Sequence, residues 1–241
     1  MAGNLDVLEF TLEQKWAKGL SIHFCNALES QRFQNSEDFQ QSYSLCQVHS
    51  EKLVTWSPQK TPETYRETRA DGFIARGDSF KNSHKKLVIR TADCCPLFYV
   101  DRENQSIAAI HAGWRGLQQG IHLVPFREGF DPKTTWIWCG PCLNGDNFEV
   151  NQDMWSLFDK RHQSNPEVFA TKNSKGVTCS ENKRFFQCWN FLELEYKKIG
   201  VELFYNVEID SFSNENYNSY RRWNKSNPDA KTPHNYSWIS F

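Results

Sequence analysis

The sequence predicts a single α+β domain, and three observations lead to this fold class. Short apolar runs rich in β-branched and aromatic residues recur along the chain between polar turns, a pattern typical of β-strands. Several other stretches carry the capping and apolar-spacing signals of helices. The chain has 241 residues, of which 39% are hydrophobic, and neither an internal repeat nor a linker divides it. We therefore expect residues 1–241 to form one domain of mixed architecture.

The apolar runs predict ten strands. Residues 134–139 give the strongest signal because they are almost entirely β-branched or aromatic. Residues 97–100 and 107–110 flank a polar turn and predict a hairpin, and residues 45–49 and 53–56 predict another. In chain order the predicted strands are 5–10, 20–24, 45–49, 53–56, 87–89, 97–100, 107–110, 134–139, 201–208 and 236–241.

Four segments are predicted to be helical. They are residues 36–43, residues 117–126, a helix capped by Asn151 that runs through 154–160, and residues 185–199, which Gly200 ends. Residues 57–69 contain two prolines and are predicted to form a loop. The segment from residue 214 to the final strand is rich in Asn, Ser and Pro and carries no predicted element.

Composition and charge exclude several classes of protein. The formal net charge of −1 and the absence of long basic runs argue against a nucleic-acid partner. No apolar run approaches the roughly 18 residues needed to span a membrane. The N-terminal segment lacks the pattern of a secretory signal, so we expect a cytoplasmic location. The eight cysteines are then expected to be reduced thiols, mostly buried, with Cys25, Cys46, Cys179 and Cys188 assigned no chemical role.

Three residues near strand ends form a candidate metal site: His49, Cys94 and His111. Two imidazoles and one thiolate suit zinc and leave a fourth position for water or substrate, as in catalytic zinc sites. Their separations, 45 and 17 residues, differ from zinc-finger spacing, so spacing alone leaves open that they are ordinary polar residues. Adjacent side chains in a strand face opposite sides, so only one of Cys94 and Cys95 can belong to the site.

A family resemblance adds to this interpretation. The residues that carry it are Gln47-Val48-His49-Ser50, Arg69-Ala70-Asp71-Gly72, Thr91-Ala92-Asp93-Cys94-Cys95-Pro96, His111-Ala112-Gly113-Trp114-Arg115-Gly116, Gly140-Pro141, Phe148-Glu149-Val150 and Ser219-Tyr220-Arg221-Arg222. In this order they resemble the YfiH-like family, also called the laccase-domain or polyphenol oxidase family and described as purine nucleoside phosphorylase. The resemblance implies one α+β domain of packed mixed sheets with flanking helices. It also implies zinc, or copper in its place, on His49, Cys94 and His111.

The function that the resemblance implies is phosphorolysis of adenosine and related nucleosides, with adenosine deamination as a lesser activity. The partners are then small molecules, a purine nucleoside and phosphate, and the oligomeric state stays open. Arg115 offers a planar fork for phosphate oxygens and is a candidate for both catalysis and substrate binding. Asp93 and Cys94 are further catalytic candidates, and Asp71 and Arg221 are candidates for substrate contacts. Asp93 is equally well interpreted as a strand-end residue that bonds backbone amides. For at least one of Arg221 and Arg222, a solvated or ion-paired surface position is the better interpretation.

Two other functions remain open. A copper-dependent polyphenol oxidase needs imidazole ligands, and the chain has seven histidines with no His-x-His pair, so a single copper ion is the most that they support. A thiol–disulfide redox protein is suggested by Trp138-Cys139-Gly140-Pro141-Cys142, the thioredoxin motif. That motif requires a helix beginning at Cys139, whereas residues 143–147 have the composition of a turn.

Overall fold

Thirteen strands and ten α-helices lie in the described residues of this computed structural model, which are 7–13, 15–227 and 229–241. The strands are β1 (Val7–Leu12), β2 (Leu20–Cys25), β3 (Leu53–Thr55), β4 (Gly72–Arg76), β5 (Lys86–Thr91), β6 (Cys95–Asp101), β7 (Ser106–Ala112), β8 (Thr135–Cys139), β9 (Glu149–Asn151), β10 (Phe169–Ala170), β11 (Lys183–Phe186), β12 (Leu203–Asn206) and β13 (Asn235–Ser240). The helices are α1 (Ala27–Gln34), α2 (Glu37–Gln41), α3 (Pro62–Glu67), α4 (Gly77–Lys81), α5 (Trp114–Gln119), α6 (Val124–Arg127), α7 (Gln152–Trp155), α8 (Lys160–Gln163), α9 (Cys188–Ile199) and α10 (Tyr220–Ser226).

The strands form three sheets. An antiparallel sheet has the order β1-β2-β13-β5, so the last strand of the chain lies between β2 and β5. A mixed six-stranded sheet has the order β12-β8-β6-β7-β4-β3, in which the outer pairs β12-β8 and β3-β4 are parallel. A small antiparallel sheet has the order β10-β11-β9. These sheets with their flanking helices confirm the predicted α+β fold class, although only the six-stranded sheet is mixed.

The centre of the six-stranded sheet is buried on both faces. Along β6, Phe98 and Val100 face the four-stranded sheet, whereas Leu97 and Tyr99 face the helices, because successive strand side chains point to opposite sides. The second core includes Leu117 of α5 and Phe191 of α9. β6 therefore reads as a continuous apolar run, as expected for a strand covered on both faces.

Two strand predictions need correction. Residues 45–49 form no strand: only Cys46 makes an isolated bridge, with Arg69, and β3 pairs in parallel with β4 instead of forming a hairpin. The chain bends at His49 because its backbone amide bonds a buried carboxylate rather than a strand. Residues 5 and 6 of the predicted first strand lie outside the described residues, and residues 7–12 form β1.

The helix predictions were accurate only in part. Residues 57–69 contain α3, because Thr61 caps its first turn and Pro62 occupies a position that tolerates proline. Residues 117–126 are broken at Gly120, which has φ 89°. The helix predicted after Asn151 ends at Trp155, and the one predicted at 185 begins at Cys188 because residues 183–186 form β11, which pairs with β9. Helices α1, α4, α8 and α10 were missed. Gly200 ends α9 as predicted.

Within the described residues, the longest α-helix is α9, with 12 residues, and none has both the length and the apolar composition of a membrane span. All eight cysteines lie in that part of the chain, and all are free thiols. Five of them are buried, as expected of reduced core cysteines.

A buried carboxylate on α9 lies among cationic and imidazole groups. Glu195 is 7% exposed, accepts hydrogen bonds from His162 at 3.1 Å and Arg161 at 3.2 Å, and lies 3.9 Å from His122. His122, followed by His162 and Arg161, holds the pKa of Glu195 at about 2, below its usual value of 4.5, although burial acts to raise it. The folded protein therefore binds the Glu195 proton less readily than the unfolded chain does.

We expect stability to decrease as the pH falls from about 4.5 to about 2 because the unfolded chain then binds more protons at Glu195. Glu195→Gln removes this contribution, so its free energy of unfolding should vary less over that window than that of the wild type. Urea denaturation between these pH values measures the difference. Glu193→Gln, on the exposed side of the same helix, should retain the wild-type pH dependence. If the free energy of unfolding changed equally with pH in all three proteins, the prediction would be wrong.

Candidate metal centre

The structure brings His49, Cys94 and His111 together. One ligand atom from each side chain lies within 4.8 Å of the others. His49 Nε2 is 3.8 Å from Cys94 Sγ, and the two imidazole rings meet edge to face with centroids 4.8 Å apart. His49 is exposed, Cys94 is half-buried and His111 is buried, so the donors extend from the core to the surface.

Three different segments position these donors. His111 is the penultimate residue of β7, opposite Pro96 of β6. Cys94 lies in the bend that carries the chain from β5, in the four-stranded sheet, to β6, in the six-stranded sheet. His49 lies in the bend before β3. Cys94 and Cys95 diverge as expected, since the Cys95 side chain belongs to the helix-covered core.

One buried carboxylate positions two of the three donors. Asp71 is 0% exposed, and its Oδ1 accepts hydrogen bonds from His111 Nδ1 at 2.9 Å and from the His49 amide at 2.8 Å. Its other oxygen accepts from the amide and hydroxyl of Ser50, each at 2.7 Å. Because Nδ1 of His111 is engaged, Nε2 is the nitrogen left to bind a cation, the arrangement common for metal-binding histidines.

The hydrogen bonds also determine the charge of Asp71 and the backbone at His49. Burial acts to raise the pKa of Asp71, but hydrogen bonds from His111 and Ser50 hold it at about 2. His49 adopts φ 60°, an uncommon conformation for a residue other than glycine, and its amide and its neighbours' amides all bond Asp71. The surrounding structure therefore maintains a strained backbone where a donor is presented.

The protonation chemistry of the donors fits a soft cation. Burial lowers the pKa of His49, and His111 and Arg115 act in the same direction, so the imidazole keeps a free lone pair at neutral pH. Burial, with Cys95 and Asp93, raises the pKa of the Cys94 thiol above its usual value. Such a thiol becomes a thiolate when a cation binds beside it. Two imidazoles and one thiolate match the ligands of a zinc site with an open position.

Gly113, which precedes α5, leaves the space in which these side chains meet. A Cβ placed on it would lie 2.8 Å from His49 Cδ2 and 3.1 Å from Cys94 Sγ. We expect Gly113→Ala to displace both side chains and to weaken zinc affinity by about 10- to 100-fold, the range for changes beside metal ligands. Competition titration with a chromogenic chelator measures this. Unchanged affinity in a normally folded variant would contradict the prediction.

The donors border a cleft of about 1000 Å³. Arg115 lies in it, exposed, with its guanidinium 4.4 Å from the Trp114 ring centre and without a hydrogen bond or ion pair to the described part of the chain. Arg221 also lines the cleft, but its guanidinium donates to the carbonyls of Asn147 at 2.7 Å and Glu149 at 3.1 Å. The guanidinium of Arg115 therefore has N–H groups free to bind a ligand. That of Arg221 instead stabilises the backbone that lines the cleft.

The remaining predicted residues have structural partners. Asp93 lines the cleft with φ 84°, and its carboxylate accepts from Ser211 Oγ and the Arg221 amide, both at 2.7 Å. This is the amide-bonding arrangement that was the alternative to a catalytic role. Asp71 lies behind His111 and is fully buried, a position that favours an orienting role over a substrate contact.

Sequence reasoning missed several residues of the cleft. Arg90, Lys231 and His234 line it together with His111. Burial, Arg90 and Lys231 lower the pKa of His234 to about 4, so this imidazole is neutral at pH 7. Of these three residues, only Arg90 could have been found from the sequence, because it directly precedes the Thr91–Cys94 motif. Lys231 and His234 reach the cleft only through tertiary structure.

The Cys139–Cys142 pair has a different setting from that of a redox motif. Both residues are 0% exposed, and β8 ends at Cys139 where a redox motif would begin a helix. Thiol–disulfide exchange requires an accessible thiolate, so this geometry does not favour it.

Comparisons with known proteins agree with the motifs. Residues 27–232 match the family model described as multi-copper polyphenol oxidoreductase laccase. The Escherichia coli protein named purine nucleoside phosphorylase YfiH is 27% identical over 183 residues, which cover 74% of this chain and 67% of that protein. An Aquifex aeolicus protein named purine nucleoside phosphorylase is 29% identical over 170 residues, which cover 68% and 75%.

Solved structures share the fold. A Neisseria meningitidis protein superposes with a TM-score of 0.75 at 20% identity, covering 98% of this chain and 99% of that one. The YfiH protein of Bacillus licheniformis superposes with a TM-score of 0.71 at 16% identity, covering 92% of each chain. Since the family model spans most of its length, the chain belongs to the multi-copper polyphenol oxidoreductase laccase family, in the YfiH-like group that its motifs indicated.

Proposed function

We propose that the protein is a zinc-dependent purine nucleoside phosphorylase, which converts adenosine and phosphate to adenine and ribose 1-phosphate. The observation that carries the proposal is the convergence of His49, Cys94 and His111 in a cleft that also presents the free guanidinium of Arg115. The names of the relatives from Escherichia coli and Aquifex aeolicus support the choice of reaction.

The cleft has the chemical groups that phosphorolysis needs. Phosphate carries negative charge, and a planar guanidinium bonds two of its oxygens at once. Arg115 supplies that group, while Arg90 and Lys231 add positive charge to the same cleft. Trp114 and Phe148 also line the cleft, and a purine can stack on the face of each ring that Arg115 or Arg221 leaves uncovered.

The reaction breaks the bond between the ribose C1′ and the purine nitrogen and forms a bond from C1′ to a phosphate oxygen. A divalent ion on His49, Cys94 and His111 would supply Lewis-acid charge next to the reacting groups. Asp71 holds His111 in the tautomer that leaves Nε2 free. We propose that Asp93 acts by tying the segment before Cys94 to the start of α10, rather than by transferring a proton.

The test is chromatography of adenosine incubated with the purified, zinc-loaded protein, with and without phosphate. Adenine and ribose 1-phosphate should form only when phosphate is present. Inosine formed in both reactions would instead indicate deamination, the lesser activity of the proposal. Adenosine that stays intact in both reactions would overturn the assignment to adenosine phosphorolysis.

Copper-dependent oxidation is a second candidate, favoured by one observation. Two imidazoles and a thiolate also bind copper, which nitrogen ligands hold more tightly than zinc. Among the described residues, the single group that combines histidine and cysteine ligands has two histidines, whereas multicopper oxidation needs many more imidazoles. Oxygen consumption with a phenol, by copper-loaded protein and without phosphate, distinguishes this activity from phosphorolysis.

A further inference from the structure

A second set of cysteines meets in the core, apart from the donors already described. Ligand atoms of Cys95, Cys139 and Cys142 lie within 4.8 Å of one another. Cys188 lies next to this set, with its Sγ 3.4 Å from that of Cys95. All four residues are at most 2% exposed.

The four cysteines come from separate elements that the fold brings to one point. Cys95 begins β6, Cys139 ends β8, and Cys188 begins α9. Cys142 lies in the loop after β8, where it bridges to Asp210. Cys139 and Cys142 have the two-residue spacing with which one segment chelates a metal ion.

The distances fit a tetrahedral thiolate site better than a disulfide. With zinc–sulfur bonds of about 2.3 Å, neighbouring sulfurs in a tetrahedron lie about 3.8 Å apart. The sulfurs of Cys95, Cys139 and Cys142 meet the 4.8 Å limit, and that of Cys188, 3.4 Å from Cys95, would move towards the other two when an ion binds. A disulfide would require about 2.05 Å and would join only two of the four sulfurs.

The surroundings suit bound thiolates. The Trp189 indole N–H donates to Cys142 Sγ at 3.0 Å, and donors to sulfur stabilise its negative charge. Cys188 is the first residue of the 12-residue helix α9, whose positive end favours a thiolate. The rest of this core is apolar, and four thiolates leave no open coordination position, as in closed structural sites.

We propose that Cys95, Cys139, Cys142 and Cys188 bind a zinc ion of their own, in a closed four-thiolate site with a structural role. The ion joins α9 to β6 and β8 of the six-stranded sheet. Cys95 directly follows Cys94, and both Cys95 and Cys188 line the cleft. The ion would therefore hold in place the segment that carries Cys94 of the candidate metal centre. The proposal is independent of the reaction that the cleft performs.

Metal analysis tests the proposal without reference to activity. The full chain, produced with zinc and freed of excess metal by gel filtration, should contain two zinc ions. The triple variant His49→Ala/Cys94→Ala/His111→Ala should retain one, and X-ray absorption should find four sulfur ligands around it at about 2.3 Å. A wild type without zinc, a folded triple variant without zinc, or iron in place of zinc would overturn the proposal.

Single variants locate the ion. Cys142→Ala and Cys188→Ala should each lose one zinc per chain, whereas Cys25→Ala, which removes an equally buried thiol from another core, should lose none. If the first two variants do not fold, the zinc content of the triple variant still decides. Titration of the denatured wild type with a thiol reagent and chelator should find eight thiols. Six would mean a disulfide and would also overturn the proposal.

Discussion

His49→Ala should lower the rate of adenosine phosphorolysis by about a thousandfold, because a metal ion supplies several kcal/mol of transition-state stabilisation. It should also remove zinc from the candidate metal centre, which then keeps only Cys94 and His111 as ligands. Steady-state kinetics and metal analysis of the purified variant measure the two effects.

His84→Ala is a matched control because His84, like His49, is exposed and has positive φ, 52° against 60°. It imposes a similar backbone cost outside the cleft. We expect it to keep wild-type turnover and metal content. Wild-type turnover in metal-depleted His49→Ala would refute the role of the metal centre.

Asp71→Ala should lower the free energy of unfolding by about 3–5 kcal/mol. The change leaves the amides of Val48, His49 and Ser50 without their acceptor, and unsatisfied buried donors cost about 1–3 kcal/mol each. His111 Nδ1 loses its partner as well, so zinc affinity should also decrease. Urea denaturation and chelator competition measure these two quantities.

Two further variants separate the effects of Asp71. Asp71→Asn keeps the size of the side chain and should fold, but with about 10- to 100-fold weaker zinc binding, since it no longer presents two acceptor oxygens. Asp159→Ala removes a carboxylate whose side chain is 70% exposed and should change stability by less than about 1 kcal/mol. If Asp71→Ala destabilised the protein no more than Asp159→Ala does, the orienting network would not have the importance assigned to it.

Local pattern was sufficient for most of the sheet. β6, β7 and β8 were located within a few residues, because strands of the central sheet are apolar and β-branched whatever surrounds them. The same pattern failed at residues 45–49. Their apolar residues pack into the core, but the backbone bonds Asp71, 21 to 23 residues ahead in the chain, rather than a strand.

Short helices were harder to predict because their limits depend on contacts distant in sequence. The start of α9 at Cys188 depends on residues 183–186 forming β11, which pairs with β9 and β10. α10 carries few apolar residues, and the Asp93 carboxylate, 128 residues earlier, binds its Arg221 amide. Neither influence is visible in a local window of sequence.

The sequence by itself determined the α+β class, the family and the three candidate donors, because strand periodicity and residue type are local properties and motifs keep their order. Tertiary structure alone decided what surrounds those donors. It placed Asp71 behind His111, brought Arg90, Lys231 and His234 into the cleft, and gathered four cysteines from as far apart as Cys95 and Cys188. These contacts form where two sheets and their helices pack together, and the separation of two residues in the sequence does not show whether packing brings them into contact.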